Sequence, residues 1–299
     1  SFTGEEGCTA AGVLCAAEFP RVRPVIPVAQ NLLNFGGVDV GGVVHFVNHL
    51  AAQLLYHRVE NQQHENGRYF LSKGLDETKD QSYVLWGLDQ ELLSRTIMPL
   101  GKYRKSEIRQ MAHDMGYPEL AKKSESYEIC FVPDNDYRGF LKRRVDGLEE
   151  KVDGGWFTDK NGKRLGKHKG YPFYTIGQRK GLDIALGKPA FVTAINPETN
   201  TVVLGDEIDL DKNDMYVGKI NWIKYDGITD GMEALTKIRY KDKGALSNLY
   251  ISDNGINVRF YENVKGIAPG QSAVFYEGND VIGGGIIQRG ILHHYRNNG

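Results

Sequence analysis

Apolar positions follow two different rhythms along this chain. The segment "NGRYFLSKGLD" (Asn66–Asp76) reads as a strand running into a turn, and "DQELLSRTIMPLG" (Asp89–Gly101) puts Leu92, Leu93 and Ile97 at helical spacing before a Pro-Leu-Gly stop. "KSEIRQMAHDMGYPELA" predicts a second helix, with Ser106 as N-cap, Ile108, Met111 and Met115 on one face, and Gly116 closing it. "NDYRGFLKRR" predicts a short third helix. Beyond Arg144 the helical period fades. Turn signals then recur at Asp153-Gly154-Gly155, Asn161-Gly162, Asn196-Pro197 and Asp253-Asn254-Gly255. Between them lie short alternating segments, "NTVVLG", "TKIRY", "INVRF", "SAVFYEG" and "VIGGGII", which predict small antiparallel sheets or a barrel. The charged stretch "GDEIDLDKND" marks a boundary near Asp206–Lys212. Residues 1–57 have another texture: a Pro-broken apolar stretch, a Gly-rich turn and a helix-like run.

With 299 residues there is room for two or three domains, and 40% hydrophobic with 25% charged residues is the composition of an ordinary soluble protein. No stretch approaches the roughly 20 apolar residues of a membrane span, and no signal peptide is expected from the opening residues. Three cysteines, Cys8, Cys15 and Cys130, do not make a disulfide framework, so a reducing cytoplasm is the expected home. A net charge of −1 argues against indiscriminate coating of nucleic acid, so any polyanion must be held by a local patch. The histidines form no metal-binding spacing, and neither CxxC nor HExxH occurs.

Four stretches carry candidate chemistry. Residues 161–180 contain Lys163, Arg164, Lys167, Lys169, Arg179 and Lys180, no acid, and interleaved Tyr171, Phe173 and Tyr174. Cations hold phosphates and aromatic faces stack on bases, but a solvated hairpin with its aromatics in the core has the same composition. Lys79-Asp80-Gln81-Ser82 offers a cation, an acceptor and an amide able to read a base edge, or else a polar turn capped by Asp80. The Gly-rich "NFGGVDVGGVV" (Asn34–Val44) is a weak phosphate-loop signal. Cys130, in "ESYEICFVP", is either a small buried hydrophobe or a working thiol.

Together, "GLDETKDQSYVLWGLDQELLSRTIMPLGKYRKSEIRQMAHDMGY", "ESYEICFV", "GKHKGYPFYTIGQRKGLDIALGKPAFVTAINPETNTVVLGD" and "IAPGQSAVFYEGNDVIGGGII" resemble the bacterial tRNA-uridine 2-sulfurtransferases, from about Tyr56 to Ile287. The resemblance implies an α/β plus β protein. An incomplete doubly wound ATP pyrophosphatase-like domain is expected over residues 1–133, a small central mixed domain over 134–207, and an antiparallel β-barrel over 208–299. It also implies ATP-dependent 2-thiolation of the wobble uridine, with ATP and Mg²⁺ as cofactors. The expected partners are tRNA and a persulfide-carrying sulfur donor, acting with a monomeric cytoplasmic enzyme. By the same resemblance Cys130 carries the persulfide, on an accessible loop between the first two domains. Lys79, Asp80 and Gln81 meet the tRNA around the flipped-out nucleotide, and Arg239, Tyr240 and Gln271 meet it from the barrel. The opening departs from the family pattern: the Ser-Gly-Gly-x-Asp-Ser-Ser loop has Phe35 for its first serine and Val40 and Gly41 for its last two. Gln53-Leu54-Leu55 replaces a Thr-Gly-His, and no Asn-Pro-x-x-x-Cys-Asn occurs. No residue is therefore assigned to ATP or to a second catalytic cysteine or acid, and a non-catalytic tRNA-binding remnant is the rival expectation.

Overall fold

A computed structural model describes residues 59–63, 67–122 and 136–289. The chain divides into two compact units, Ser1–Asn135 with Asn279–Val281, and Asp136–Gly278 with Ile282–Gly299. Cys8, Cys15, the Gly-rich turn at Asn34–Val44 and Cys130 lie outside the described residues.

In the first unit, strand β1 (Val59–Gln63) pairs antiparallel with β2 (Tyr69–Lys73). On the same strand, Ser72 and Leu71 pair with Asp280 and Val281, and the Asp280 carboxylate accepts the Ser72 hydroxyl at 2.6 Å. Helix α1 (Gln90–Ser94) is capped by Asp89, which accepts the Leu92 N–H at 2.8 Å, and it buries Leu93 completely. Gln90 clasps β2: its side-chain amide accepts from the Tyr69 N–H and donates to the Tyr69 carbonyl, both at 2.8 Å. The helix stops short of Ile97, which is 82% exposed. The reason is local. The hydroxyls of Ser94 and Thr96 donate to the carbonyls of Glu91 and Leu92, occupying acceptors that a further turn would use.

Helix α2 (Lys105–Asp114) begins one residue before the cap expected at Ser106. Glu107 reaches back to the Arg104 amide, and Asp76 accepts the Lys105 N–H at 3.0 Å, so the first turn is capped by neighbouring carboxylates. Its end is as expected. Gly116, at φ +88°, lets the Tyr117 N–H reach the Ala112 carbonyl and its own N–H reach that of His113. The predicted apolar face is not a buried one, because α2 buries no residue and Met115 is 73% exposed. A short helix α3 (Pro118–Lys122) follows, opened by proline at a position that needs no N–H.

The second unit starts with α4 (Tyr137–Arg144), where Asp136 accepts the Gly139 N–H at 2.9 Å. A helix the sequence pattern did not predict, α5 (Leu148–Val152), begins after Gly147 at φ +65°. Four strands form a sheet in the order β4 (Arg164–Lys167), β3 (Trp156–Thr158), β6 (Thr201–Gly205), β5 (Phe191–Asn196), with β3 and β6 parallel. Its core joins Leu141, Leu148, Phe157, Phe173, Tyr174 and Val202.

Six further strands run antiparallel: β7 (Asp211–Trp222), β8 (Met232–Lys237), β9 (Ala245–Ser252), β10 (Gly255–Lys265), β11 (Ser272–Glu277) and β12 (Asp280–Ile287). Their order is β7-β10-β9-β8-β11-β12, and β12 returns to pair with β7, closing a barrel. Alternating inward residues such as Val217, Leu249, Val258, Phe275 and Ile282 fill it. Closure explains the glycine run in β12. A Cβ at Gly283 would stand 2.5 Å from the Asn221 carbonyl oxygen, and one at Gly285 2.7 Å from that of Gly218.

Candidate nucleic-acid interface

In the first unit the polar stretch predicted from sequence is a pair of tight turns. Asp76 caps the 3₁₀ turn Glu77–Lys79: one carboxylate oxygen accepts the Thr78 N–H (3.2 Å) and hydroxyl (2.6 Å). The other oxygen takes the Lys105 N–H, tying the turn to the start of α2. Asp80 accepts the Ser82 N–H at 3.0 Å and its hydroxyl at 2.9 Å, and Ser82 is fully buried. The Asp80 carboxylate therefore shapes the turn. Lys79 and Gln81, both half-buried, flank it, and Lys79 lines an open cleft of about 620 Å³. Gln81 precedes the next 3₁₀ turn, Ser82–Val84, and its carbonyl accepts the Val84 N–H.

In the second unit Arg239 and Tyr240 do not continue β8 as the "TKIRY" pattern suggested. The strand ends at Lys237 and both residues lie in the turn that follows. Asp242 builds that turn by accepting the N–H groups of Ile238 (3.3 Å) and Gly244 (3.1 Å). The Arg239 guanidinium donates to the Gly266 carbonyl at 2.7 Å. Gly266 has φ +72°, and a Cβ there would stand 2.1 Å from the guanidinium nitrogen; one at Gly177 would stand 3.4 Å from it. Three segments thus converge on Arg239: its own turn, the loop Gly266–Gln271, and the "TIGQRKG" loop. Exposed Tyr240, Lys241, Lys243, Arg179 and Lys180 lie on these segments, and exposed Gln271 closes the second of them. The Gln271 N–H donates to the Ala268 carbonyl, while its own carbonyl accepts from Ile287.

The basic stretch at 161–180 divides. Phe173 and Tyr174 are buried, so these aromatics are core and not stacking platforms. Tyr174 meets Phe157 edge-on at 5.2 Å. The Arg164 guanidinium lies 4.7 Å over Trp156. Lys169 is paired with Asp183 at 2.6 Å, and its hydrogen bond holds that carboxyl below the usual carboxylate range. Buried His168 accepts the Gly170 N–H at Nδ1 and places Nε2 3.2 Å from the Asn200 carbonyl, and burial lowers its pKa. Three cations passed over by the sequence reading, Lys105, Arg109 and Lys122, line the same cleft as Lys79. The signal for Lys105 and Arg109 is the cation density of "KYRKSEIR"; Lys122 has no such local signal. Among the described residues no group of three or more His, Cys, Asp or Glu is arranged to hold a metal. Among them, too, no helix is long and apolar enough to cross a membrane.

Comparison with known proteins accounts for most of the chain. Family models match as the tRNA methyl transferase HUP domain over residues 45–134, the tRNA methyl transferase PRC-barrel domain over 138–206, and the Aminomethyltransferase beta-barrel domain over 212–287. The tRNA-specific 2-thiouridylase MnmA of Cytophaga hutchinsonii is 58% identical over 225 residues, 75% of this chain and 61% of that relative. The chain belongs to the tRNA-specific 2-thiouridylase family. The thiouridylase of Amoebophilus asiaticus is 56% identical over 229 residues, covering 76% of this chain and 61% of its own length. That of Salinibacter ruber is 53% identical over 224 residues, 75% and 58%. The chain thus spans about six-tenths of the length of these thiouridylases. The family architecture is a HUP nucleotide-binding domain, a middle domain and a six-strand antiparallel β-barrel.

Proposed function

We propose that this protein acts in 2-thiolation of a tRNA uridine, the activity that the names of its relatives state for them, and that it does so with ATP. The observation that carries the reading is identity of 53–58% to proteins named tRNA-specific 2-thiouridylase. The geometry supports it with two cation-bearing turns, each shaped by an aspartate that bonds backbone amides. Cations that hold phosphates and side chains that read an unpaired base are what recognition of an anticodon loop needs.

In this reading the C2 oxygen of the uridine attacks the α-phosphate of ATP and releases pyrophosphate. The terminal sulfur of a persulfide on Cys130, charged by a donor protein, then attacks C2, and AMP leaves with the former C2 oxygen. A second thiol then attacks the Cys130 sulfur of the C2–S–S–Cys130 bridge, forming a disulfide with Cys130 and releasing the 2-thiouridine. A thiolate suits Cys130 because it both accepts sulfane sulfur and presents it to an electrophilic carbon. Lys79 and Gln81 position the target nucleotide, and Arg239, Tyr240 and Gln271 hold the RNA from the barrel.

The test is to supply the full chain with ATP, a persulfide donor and unmodified tRNA, and to digest the RNA for mass spectrometry. 2-Thiouridine and stoichiometric AMP are expected from the wild type. Cys130→Ser should bind tRNA equally and form no 2-thiouridine; thiolation by that variant at the wild-type rate would remove Cys130 from the chemistry. The departures at Phe35, Val40 and Gly41 favour a second reading, a tRNA-binding protein without ATP turnover. Tight tRNA binding with no AMP would select it.

A further inference from the structure

We propose that the open cleft of the first unit is a subsite for RNA phosphates, gripped by Lys79, Lys105, Arg109 and Lys122. The proposal rests on the tRNA reading above and extends it to three residues, Lys105, Arg109 and Lys122, to which the resemblance assigns no role. The cleft encloses about 620 Å³, and Ala121 is the one apolar side chain on its wall. Pockets for small organic ligands are mostly apolar and enclosing; this wall is cationic, polar and open. Its single carboxylate, Asp76, has both oxygens turned onto Thr78 and the Lys105 amide. The wall carries four permanent cations, with His113 beside them.

The cations are also held in a common frame. Lys105 and Arg109 stand one turn apart on α2, a separation of about 5–6 Å between Cβ atoms. Asp76 ties the start of α2 to the turn that carries Lys79, and the Leu75 N–H donates to the Gly101 carbonyl at 3.0 Å. The third cation source, Lys122, ends α3. In sequence Gln81, which the proposed function gives to the target base, follows Lys79 by two residues, and Cys130 follows Lys122 by eight. Phosphates flanking a flipped-out uridine are the polyanion such a position would meet, and several cations in a fixed frame grip a backbone without ordering it further.

A phosphate-binding cleft serves either the RNA backbone or the phosphates of ATP, and one experiment separates them. Full-length Arg109→Ala/Lys122→Ala would be compared with wild type for tRNA affinity between about 50 and about 200 mM salt, and for pyrophosphate affinity by calorimetry. Loss of two single-strand phosphate contacts should make the log–log salt slope shallower by about 1.4, with pyrophosphate binding unchanged. Arg95→Ala, which removes an exposed cation paired with Glu91 on α1, should leave the slope as it is. If the double variant melts early, Arg109→Gln and Lys122→Gln taken singly should each shift the slope by about 0.7. An unchanged slope in folded variants overturns the subsite. A preserved slope with lost pyrophosphate binding overturns it too, and gives the cleft to the nucleotide. A wild-type chain that binds no tRNA would sink the tRNA reading, and the subsite with it.

Discussion

The turn at residues 76–82 and the turn at residues 238–244 are built by one device and put to different use. In each, an aspartate folds onto backbone amides: Asp80 onto Ser82, Asp242 onto Ile238 and Gly244. In the first turn Asp80 sits above a buried serine with Lys79 and Gln81 on either side of it, and Asp76 adds bonds to Thr78 and to the Lys105 amide. In the second the cation itself is anchored, because one guanidinium nitrogen is committed to the Gly266 carbonyl. A guanidinium held along one edge still offers N–H groups in a fixed plane, which suits a phosphate. In the first turn the aspartates fix a backbone, whereas in the second the direction of a charge is fixed as well. Under the proposed function, positioning of a reacting base falls to the first and grip on the RNA backbone to the second.

The largest effect expected is at Gly266. Alanine there must adopt φ +72°, a cost of about 1–2 kcal/mol, and its Cβ would displace the Arg239 guanidinium. Gly266→Ala should melt several degrees lower and bind tRNA more weakly. Wild-type melting with undiminished tRNA affinity would show that the anchored orientation has no role.

Next comes Asp80→Ala, which leaves the buried Ser82 hydroxyl and amide without their acceptor, at about 1–3 kcal/mol. Asp80→Asn retains one acceptor oxygen and should lose less. Chemical denaturation measures both. A variant of wild-type stability with weakened tRNA binding would instead put Asp80 on the RNA.

A smaller effect tests the frame behind the "TIGQRKG" loop. Burial holds the pKa of His168 below its ordinary value, so the folded protein favours the neutral ring. That contribution is complete above the unfolded-state pKa of about 6.5 and is lost as pH falls below it. The melting temperature should therefore drop on acidification from about pH 7, and less steeply in His168→Gln; parallel profiles would remove His168 from the account.

The smallest effect is at Lys169, whose partner Asp183 is exposed. Lys169→Ala should raise the Asp183 carboxyl pKa, seen by NMR titration, without a measurable change in melting. It should also alter the tRNA salt slope less than Arg179→Ala does. The reverse order would place Lys169 on a phosphate.

What was legible in the sequence follows from how far each signal depends on its own neighbourhood. The barrel strands were readable because alternation and turn residues report burial, as "INVRF" shows, although "SAVFYEG" is buried on both faces from Ser272 to Tyr276. Gly116 was readable for the same reason, since a left-handed residue after a helix is a local need. The cap of α2 was not, because it is supplied by Glu107 and by Asp76, which is 29 residues away from Lys105. Arg239 read as a strand residue and lies in a turn, since a five-residue pattern does not reveal where pairing with β11 stops. Nor did the pattern offer its partner: the guanidinium bonds a carbonyl that lies beyond β9 and β10 in sequence. In the basic stretch, composition alone did not separate Phe173 and Tyr174 as core from the cations around them as surface.

The division of labour between the two turns is tested most directly by steady-state thiolation kinetics of Gln81→Ala and Arg239→Ala, with tRNA as the varied substrate. Gln81→Ala should lower the rate at saturating tRNA while KM stays near that of the wild type, because the reacting base loses its positioning. Arg239→Ala should raise KM, with the saturated rate recovering. The account is contradicted if both variants move the same parameter, or if Arg239→Ala binds tRNA as tightly as the wild type.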